Sequence, residues 1–368
     1  MFSKSKILIF GSTGKLGSKL LSFCFQNNIS VDCITSFSNY RKMKMQSKKL
    51  SIKNSFCLSY QNQNISLKKF LNDNLFDVIY FLDFGSQSLE YIDILLKKNT
   101  SSIFGIANKE MIIAGGPLLI QKIKKTKNKL IPLDSEHFSL FRSSPINDEI
   151  YKIYITASGG PFYFKKKINL DKVNLNQVLN HPKWKMGINN SIDSSNFINK
   201  LLEMYELSSI YNIDLKKIDF LISQHAYIHS IIIYKDSTIS INCFKNDMLI
   251  TLIKPLEIAF SRNFIKNQSK HHFMDTNLLN LSKFNDKRFK LFKYINKLKK
   301  ISHKNQIKLM VLNNIAQKKY LEKQLKYNEI VPFIMKNLDN NSNTGFSNFE
   351  DILSYIKQLS YKYENYVF

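Results

Sequence analysis

The sequence predicts an α/β fold: an N-terminal parallel sheet covered by helices, a central α/β region, and a small helical region at the C-terminal end. Three observations carry this. Strand-like runs at 7–10, 29–35, 77–82 and 102–106 alternate with helical stretches over residues 6 to about 120, the mark of strand–helix–strand units. The first run feeds a glycine-spaced turn that opens a helix. Further strand-like runs, Tyr151–Ala157 and His229–Tyr234, stand mid-chain, and a lysine-rich helical pattern closes it. The divisions expected are 1–122, 123–257, a lysine- and asparagine-rich connection over 258–283, and helices over 284–368, with a loop at Asp339–Asn348.

Lys6-Ile7-Leu8-Ile9-Phe10 runs directly into Gly11-Ser12-Thr13-Gly14-Lys15-Leu16-Gly17. Glycines let the backbone turn sharply and approach a pyrophosphate, and a helix N-terminus offers free N–H groups. The spacing is G-x-x-G-x-x-G rather than the commoner G-x-G-x-x-G, so an ordinary strand-to-helix turn fits these residues nearly as well.

The middle of the chain gathers chemistry. Asp134-Ser135-Glu136-His137, the segment His181 to Gly187, and Asp193-Ser194-Ser195-Asn196-Phe197-Ile198-Asn199-Lys200-Leu201-Leu202-Glu203 hold more polar groups than a core accepts. Asp and Glu are rarely buried unless paired or bound to a cation. If Ser194 caps a helix, Asn199, Lys200 and Glu203 fall on one face, with Asn199 and Glu203 at i,i+4. Such a face has room for an anion at its start and a metal one turn later.

A chain of 368 residues is long enough for two or three domains. It has no apolar run near the roughly 18 residues that span a bilayer. Met1 stands only a few residues before the first strand, so no cleaved signal is expected and the protein is expected in the cytoplasm. Cys24, Cys33, Cys57 and Cys243 lack metal-ligand spacing and read as free thiols in a reducing compartment. The net charge is +26, carried by 50 Lys and only 4 Arg. Nucleic-acid readout favours Arg, and the Lys, Asn, Ile, Phe and Tyr usage follows A+T-rich codons. Neither nucleic acid nor membrane is expected as a partner, while the positive field draws in anionic ligands.

The ordered segments Gly11-Ser12-Thr13-Gly14, Ala107-Asn108-Lys109-Glu110, Pro132 to His137, Thr156-Ala157-Ser158-Gly159-Gly160-Pro161-Phe162, the long segment above and Ile228-His229-Ser230 closely resemble the 1-deoxy-D-xylulose 5-phosphate reductoisomerase family. The agreement runs from residue 7 to about 260. The resemblance implies a Rossmann-like NADPH domain, a central α/β catalytic domain and a C-terminal helical domain. It implies a homodimer that isomerises and reduces 1-deoxy-D-xylulose 5-phosphate to 2-C-methyl-D-erythritol 4-phosphate, for isoprenoid precursors.

Residue by residue, the resemblance implies Asp134, Glu136 and Glu203 as ligands for Mg2+ or Mn2+, hard cations that prefer oxygen. It implies a phosphate pocket of Ser158, Ser194, Asn199 and Lys200, with Ser135 and Glu136 also on the substrate and Lys109 beside its hydroxyls. His181 to Met186 resembles a flap, about 178–188, in which Trp184 covers the substrate and His181 meets it; His229 matches a second active-site histidine. The dinucleotide falls to Gly11, Ser12, Thr13, Gly14, Lys15, Leu16, Asn39, Arg41, Asn108, Glu110, Gly187 and Met248. After the second strand no carboxylate awaits a ribose 2′-hydroxyl, and Arg41 and Lys42 stand close by, which favours NADPH. In structural terms Trp184 also fits packing, His229 a satisfied core histidine, and Ser158 and Ser194 turn and cap roles.

The sequence departs from the family at Phe37-Ser38, where Gly-Lys or Gly-Arg is usual, at Ser223-Gln224-His225, at Phe244-Lys245-Asn246-Asp247-Met248, and at Leu312-Asn313-Asn314 in place of Ala-Asn-Glu. Two other readings stay open: an oxidoreductase acting on another sugar phosphate, and a catalytically silent NADPH-binding scaffold.

Overall fold

The computed structural model describes residues 5–145, 149–183, 186–264, 280–338 and 345–364. The chain divides into two compact units, Met1–Met111, Leu118–Arg142 and Asp247–Phe273 in the first, and Ile112–Pro117, Ser143–Asn246 and Met274–Phe368 in the second.

The first unit is a six-stranded parallel sheet in the order β3-β2-β1-β4-β5-β6, built from β1 (Ile7–Phe10), β2 (Cys33–Ser36), β3 (Asn54–Cys57), β4 (Val78–Phe81), β5 (Ile103–Ile106) and β6 (Lys129–Pro132). Its connections run through α1 (Lys15–Gln26), α2 (Tyr40–Leu50), α3 (Gln61–Asp73), α4 (Ile92–Lys98) and α5 (Lys109–Lys124), and α6 (Ser135–Ser143) follows β6. Every residue of β1, β2, β4 and β5 is buried, as a strand covered on both faces requires. The two edge strands differ. Three of the four residues of β3 are half-buried, and β6 ends in Pro132, which only an edge or strand end accepts. Neither was expected from the sequence, because neither offers an unbroken apolar run.

Two short helices, α10 (Leu249–Leu252) and α11 (Lys254–Ala259), return to this sheet from far along the chain. Tyr80 of β4 donates its hydroxyl to the Leu252 carbonyl at 2.7 Å. A Cβ on Gly105 would stand 3.0 Å from both Pro255 and the Tyr80 ring, so β5 carries glycine where ring and helix press on it. Phe81, the next residue of β4, turns to the other face of the sheet and stacks on Phe10 at 4.7 Å.

The second unit holds a mixed sheet, β10-β9-β7-β8-β11, of β7 (Ile150–Ala157), β8 (Ile218–Ser223), β9 (Ile228–Tyr234), β10 (Ile239–Cys243) and β11 (Leu281–Lys283). β7 and β8 are parallel and the other pairs antiparallel. Its helices are α7 (Leu175–Leu179), α8 (Ile188–Asn196), α9 (Ile198–Tyr211), α12 (Ile295–Leu298), α13 (His303–Leu321), α14 (Ile330–Asn337) and α15 (Phe349–Glu364). Of the connection expected over 258–283, residues 265–279 lie outside the described residues, 258–259 finish α11, and Leu281–Lys283 pair with β8 as a strand. Part of the loop expected at Asp339–Asn348, residues 339–344, also lies outside them.

Inside α5, Gly116 takes φ 45° and Pro117 follows. Pro117 has no N–H for the Ile113 carbonyl four residues back. His303, at the start of α13, donates its Nε2 to that carbonyl at 2.8 Å, and a Cβ on Gly116 would meet its ring at 2.3 Å.

Candidate active site

In the first unit the glycine turn is fixed by backbone contact. Gly11 has φ +78°, and a Cβ there would lie 2.4 Å from the Asp83 nitrogen; a Cβ on Gly17 would lie 2.4 Å from the Gly11 oxygen. Gly14 is the N-cap of α1, with Lys15 and Leu16 in its first turn, leaving the helix N–H groups open toward an anion. Ser12 is buried, and its hydroxyl donates to Gln46 Oε1 while its carbonyl accepts from Gln46 Nε2, both at 2.9 Å. Asn39 caps α2 by accepting from the Lys42 amide at 3.1 Å, and Lys42 Nζ reaches back to the Thr13 carbonyl at 2.7 Å. Arg41 is exposed beside it.

Asn108 caps α5, accepting from the Met111 amide at 2.9 Å and donating to the Gly85 carbonyl at 2.8 Å. That cap aims the buried Lys109, whose ammonium meets Asp134 Oδ2 at 2.8 Å. Glu110 is buried in the same first turn. Ser135 donates to Glu136 Oε2 at 2.6 Å at the start of α6, and Glu136 is buried. Met248 stands at the N-cap of α10. Sequence reasoning passed over Asp83, whose carboxyl is pushed up to about 6 by burial, against which the Ser88 hydroxyl works.

In the second unit Ser158, His181, Lys200 and Glu203 come together with Asn199. Ser158 Oγ and His181 Nε2 are 3.2 Å apart. His181 Nδ1 accepts from the Lys183 amide at 3.2 Å, so the neutral ring carries its proton on Nε2 and donates it to Ser158. Burial, then the charge of Lys200, lowers the His181 pKa to about 4. Lys200 Nζ bonds Glu203 Oε2 at 2.6 Å, and the Asn199 amide donates to Oε1 of the same carboxylate. Glu203 is 2% exposed. Gly159 and Gly160 both have positive φ, and a Cβ on Gly160 would come 2.8 Å from the Ser194 carbonyl, so the Ser158 turn lies directly on the Ser194 backbone.

Ser194 does not cap a helix. It sits in the last turn of α8, and α9 begins only after Phe197, whose left-handed φ of 68° breaks the helix. The neighbouring Ser195 hydroxyl turns to its own helix rather than to a cap, donating to the Ile192 carbonyl at 2.6 Å. Asn199, Lys200 and Glu203 do share the first turns of α9. Gly187 is the N-cap of α8. Trp184 and Lys185 of the expected flap lie outside the described residues. His229 is buried, stacked on Phe244 at 3.9 Å, and donates Nε2 to the Phe244 carbonyl at 3.2 Å.

A parallel sheet in this order, with a glycine turn after its first strand, is the doubly wound α/β fold of dinucleotide-binding proteins. Two family models match the chain, the 1-deoxy-D-xylulose 5-phosphate reductoisomerase C-terminal domain over residues 130–211 and the DXP reductoisomerase C-terminal domain over 246–360. The 1-deoxy-D-xylulose 5-phosphate reductoisomerase of Pelagibacter ubique (strain HTCC1062) is 31% identical over 353 residues, 90% of each chain. That of Thermoanaerobacter sp. (strain X514) is 28% identical over 97% of this chain and 98% of its own. The fold matches the solved reductoisomerase from Zymomonas mobilis in complex with NADPH, with a TM-score of 0.81 at 22% identity over 98% of both chains. It also matches a DOX-P reductoisomerase in complex with NADPH, fosmidomycin and magnesium, with a TM-score of 0.83 at 23% identity over 97% of both. The chain belongs to the 1-deoxy-D-xylulose 5-phosphate reductoisomerase family.

Proposed function

We propose that the protein isomerises and reduces 1-deoxy-D-xylulose 5-phosphate to 2-C-methyl-D-erythritol 4-phosphate, using NADPH and Mg2+ or Mn2+. The observation that carries this reading is the cluster Ser158, His181, Asn199, Lys200 and Glu203 in the second unit of a chain from this family. When bound, the metal supplies a Lewis acid for the substrate carbonyl and NADPH supplies the hydride.

Asp134, Glu136 and Glu203 are the metal ligands in this reading. Their chemistry fits a hard cation: all are oxygen donors, and Glu136 and Glu203 are carboxylates sunk below the surface, where charge is kept only if it is paired or hydrogen-bonded. Hydrogen bonds from Ser135 to Glu136, and from Asn199 and Lys200 to Glu203, orient these side chains as outer-shell donors do. Lys109, Ser135 and Glu136 face the substrate hydroxyls.

Ser158, Ser194, Asn199 and Lys200 bind the phosphate, with Lys200 balancing its charge. Because His181 donates to Ser158 Oγ, the serine's own proton is free to go to a phosphate oxygen. His181 stays neutral at working pH, so it holds and orients rather than adding charge, and with Trp184 it excludes water once substrate is bound. The dinucleotide lies along Gly11 to Leu16, with Asn39 and Arg41 toward its 2′-phosphate and Asn108, Glu110, Gly187, His229 and Met248 toward the reacting end.

The functional division is a nucleotide domain over 1–122, a catalytic domain over 123–257, a connection over 258–283 and a helical domain over 284–368. The enzyme works in the cytoplasm as a homodimer. In support, β10 borders its sheet, and Ile239 and Ile241 on one of its faces are 60% and 43% exposed, an apolar surface that a second copy would cover. No helix among the described residues is long and apolar enough to cross a membrane. The test is oxidation of NADPH dependent on deoxyxylulose phosphate, with and without divalent metal. Turnover that ignores the metal, or no turnover with it, overturns the reading.

A further inference from the structure

The carboxylate of Asp193 is held from the far end of the sequence. Asn313 Nδ2 donates to its two oxygens at 2.9 and 3.0 Å, and Gln317 Nε2 donates to Oδ1 at 2.5 Å. Asn313 and Gln317 stand four residues apart on one face of α13, and both are fully buried. Asp193 is buried as well. A carboxylate enters a protein core only where donors await it, so α13 helps to hold the last turn of α8. Two residues on, Tyr327 donates its hydroxyl to the Ser195 carbonyl at 2.8 Å.

The residue between these two anchored positions is Ser194. From Ser191 to Leu207 every residue is buried except Ser194 and Asn199, two of the three side chains in this segment assigned above to phosphate; the third, Lys200, is buried. On the other side the Ser158 turn rests on the Ser194 carbonyl through Gly160. The backbone of Ser194 is thus clamped from α13, from Tyr327 and from the Ser158 turn, while its side chain remains available.

We propose that Asn313 and Gln317 are positioning residues for phosphate recognition: through Asp193 they fix Ser194 and the adjoining start of α9, where Asn199 and Lys200 stand. The proposal rests on the assignment of Ser194, Asn199 and Lys200 to the phosphate of the substrate. A donor set already held in place loses less freedom on binding, which favours affinity. Releasing Asp193 therefore weakens phosphate binding and leaves the nucleotide untouched.

The test compares the parent enzyme with Asn313→Leu, which removes two of the bonds while keeping the branched skeleton and the number of side-chain heavy atoms, and Gln317→Met, which removes the third. In Asn313→Leu the KM for deoxyxylulose phosphate and the inhibition constant of fosmidomycin, a phosphonate, rise at least tenfold, while the KM for NADPH stays within twofold. Gln317→Met, which keeps both Asn313 bonds, shows a rise of about threefold and carries the test if Asn313→Leu does not fold. The double variant Asp193→Asn, Asn313→Asp exchanges amide and carboxylate and returns the substrate KM to within threefold of the parent. A merely structural contact lowers the melting temperature without separating the two KM values, and that result in Gln317→Met or Asn313→Leu overturns the proposal. A parent that oxidises no NADPH with deoxyxylulose phosphate overturns the functional reading, and the proposal with it.

Discussion

Ser158 and His181 meet side chain to side chain, Oγ to Nε2 at 3.2 Å, across 23 residues of sequence that contain the start of the expected flap. The contact ties a glycine turn at the end of β7 to a ring that burial and Lys200 keep neutral.

That neutrality has a pH signature. The His181 pKa falls from the usual 6.5 to about 4 on folding, so protonation favours the unfolded chain. Its contribution to stability is complete above pH 6.5 and is lost as pH falls from 6.5 through 4. His181→Gln should flatten this part of the melting-temperature profile; a parent and variant that lose stability in parallel between pH 6.5 and 4 contradict the assignment.

Asp83 works in the opposite direction. Its folded pKa is raised from 3.8 to about 6 by burial, so stability is full below pH 3.8 and declines as pH rises through 6. Asp83→Asn should therefore be more stable than the parent at pH 7, with the gap closing toward pH 4. Chemical denaturation at the two pH values measures it.

Glu203→Gln removes the charge that Lys200 meets at 2.6 Å in a site where both side chains are at most 10% exposed. Breaking a buried pair by losing one member costs about 3–5 kcal/mol, and one of the three proposed carboxylate ligands to the metal is lost as well. Turnover should vanish while NADPH binding, measured by fluorescence titration, persists in the folded variant.

Lys42 is already anchored to the glycine turn through the Thr13 carbonyl, with Arg41 exposed next to it. A charge-assisted hydrogen bond contributes about 1.5–3 kcal/mol, and 1.4 kcal/mol is about tenfold in affinity. The Arg41→Ala, Lys42→Ala double variant should lose roughly ten- to a hundredfold of its preference for NADPH over NADH, read from kcat/KM with each cofactor. An unchanged ratio means the 2′-phosphate is held by other residues.

The interior strands were legible because β1, β4 and β5 are unbroken buried runs, and burial on both faces writes itself into composition. β3, with Asn54 and Ser55, and β6, with Lys129 at its start, border solvent and resemble loops. Part of the site was legible through ordered motifs: Ser158, His181, Asn199, Lys200 and Glu203 were named from the sequence and stand together in one unit. Its supports were not. Gln46 on Ser12, and Asn313 and Gln317 on Asp193, are pairings between distant residues, and an amide on a helix gives no periodic sign of the partner it will find. Ser194 misled for a related reason, since a serine before a helical pattern looks like a cap until the left-handed Phe197 is seen.

The bond from Tyr80 to the Leu252 carbonyl joins positions 172 residues apart and sets an order on synthesis. When a ribosome has released the whole glycine turn and all six strands of the first sheet, the helices that cover Tyr80 and Gly105 have not yet been made. The nascent nucleotide-binding half therefore waits, one apolar patch bare, for more than a hundred residues of the other unit to emerge before its own last piece arrives. A fragment ending after α6 should accordingly be produced in aggregated form, and supplying residues 247–264 on a short linker should restore solubility.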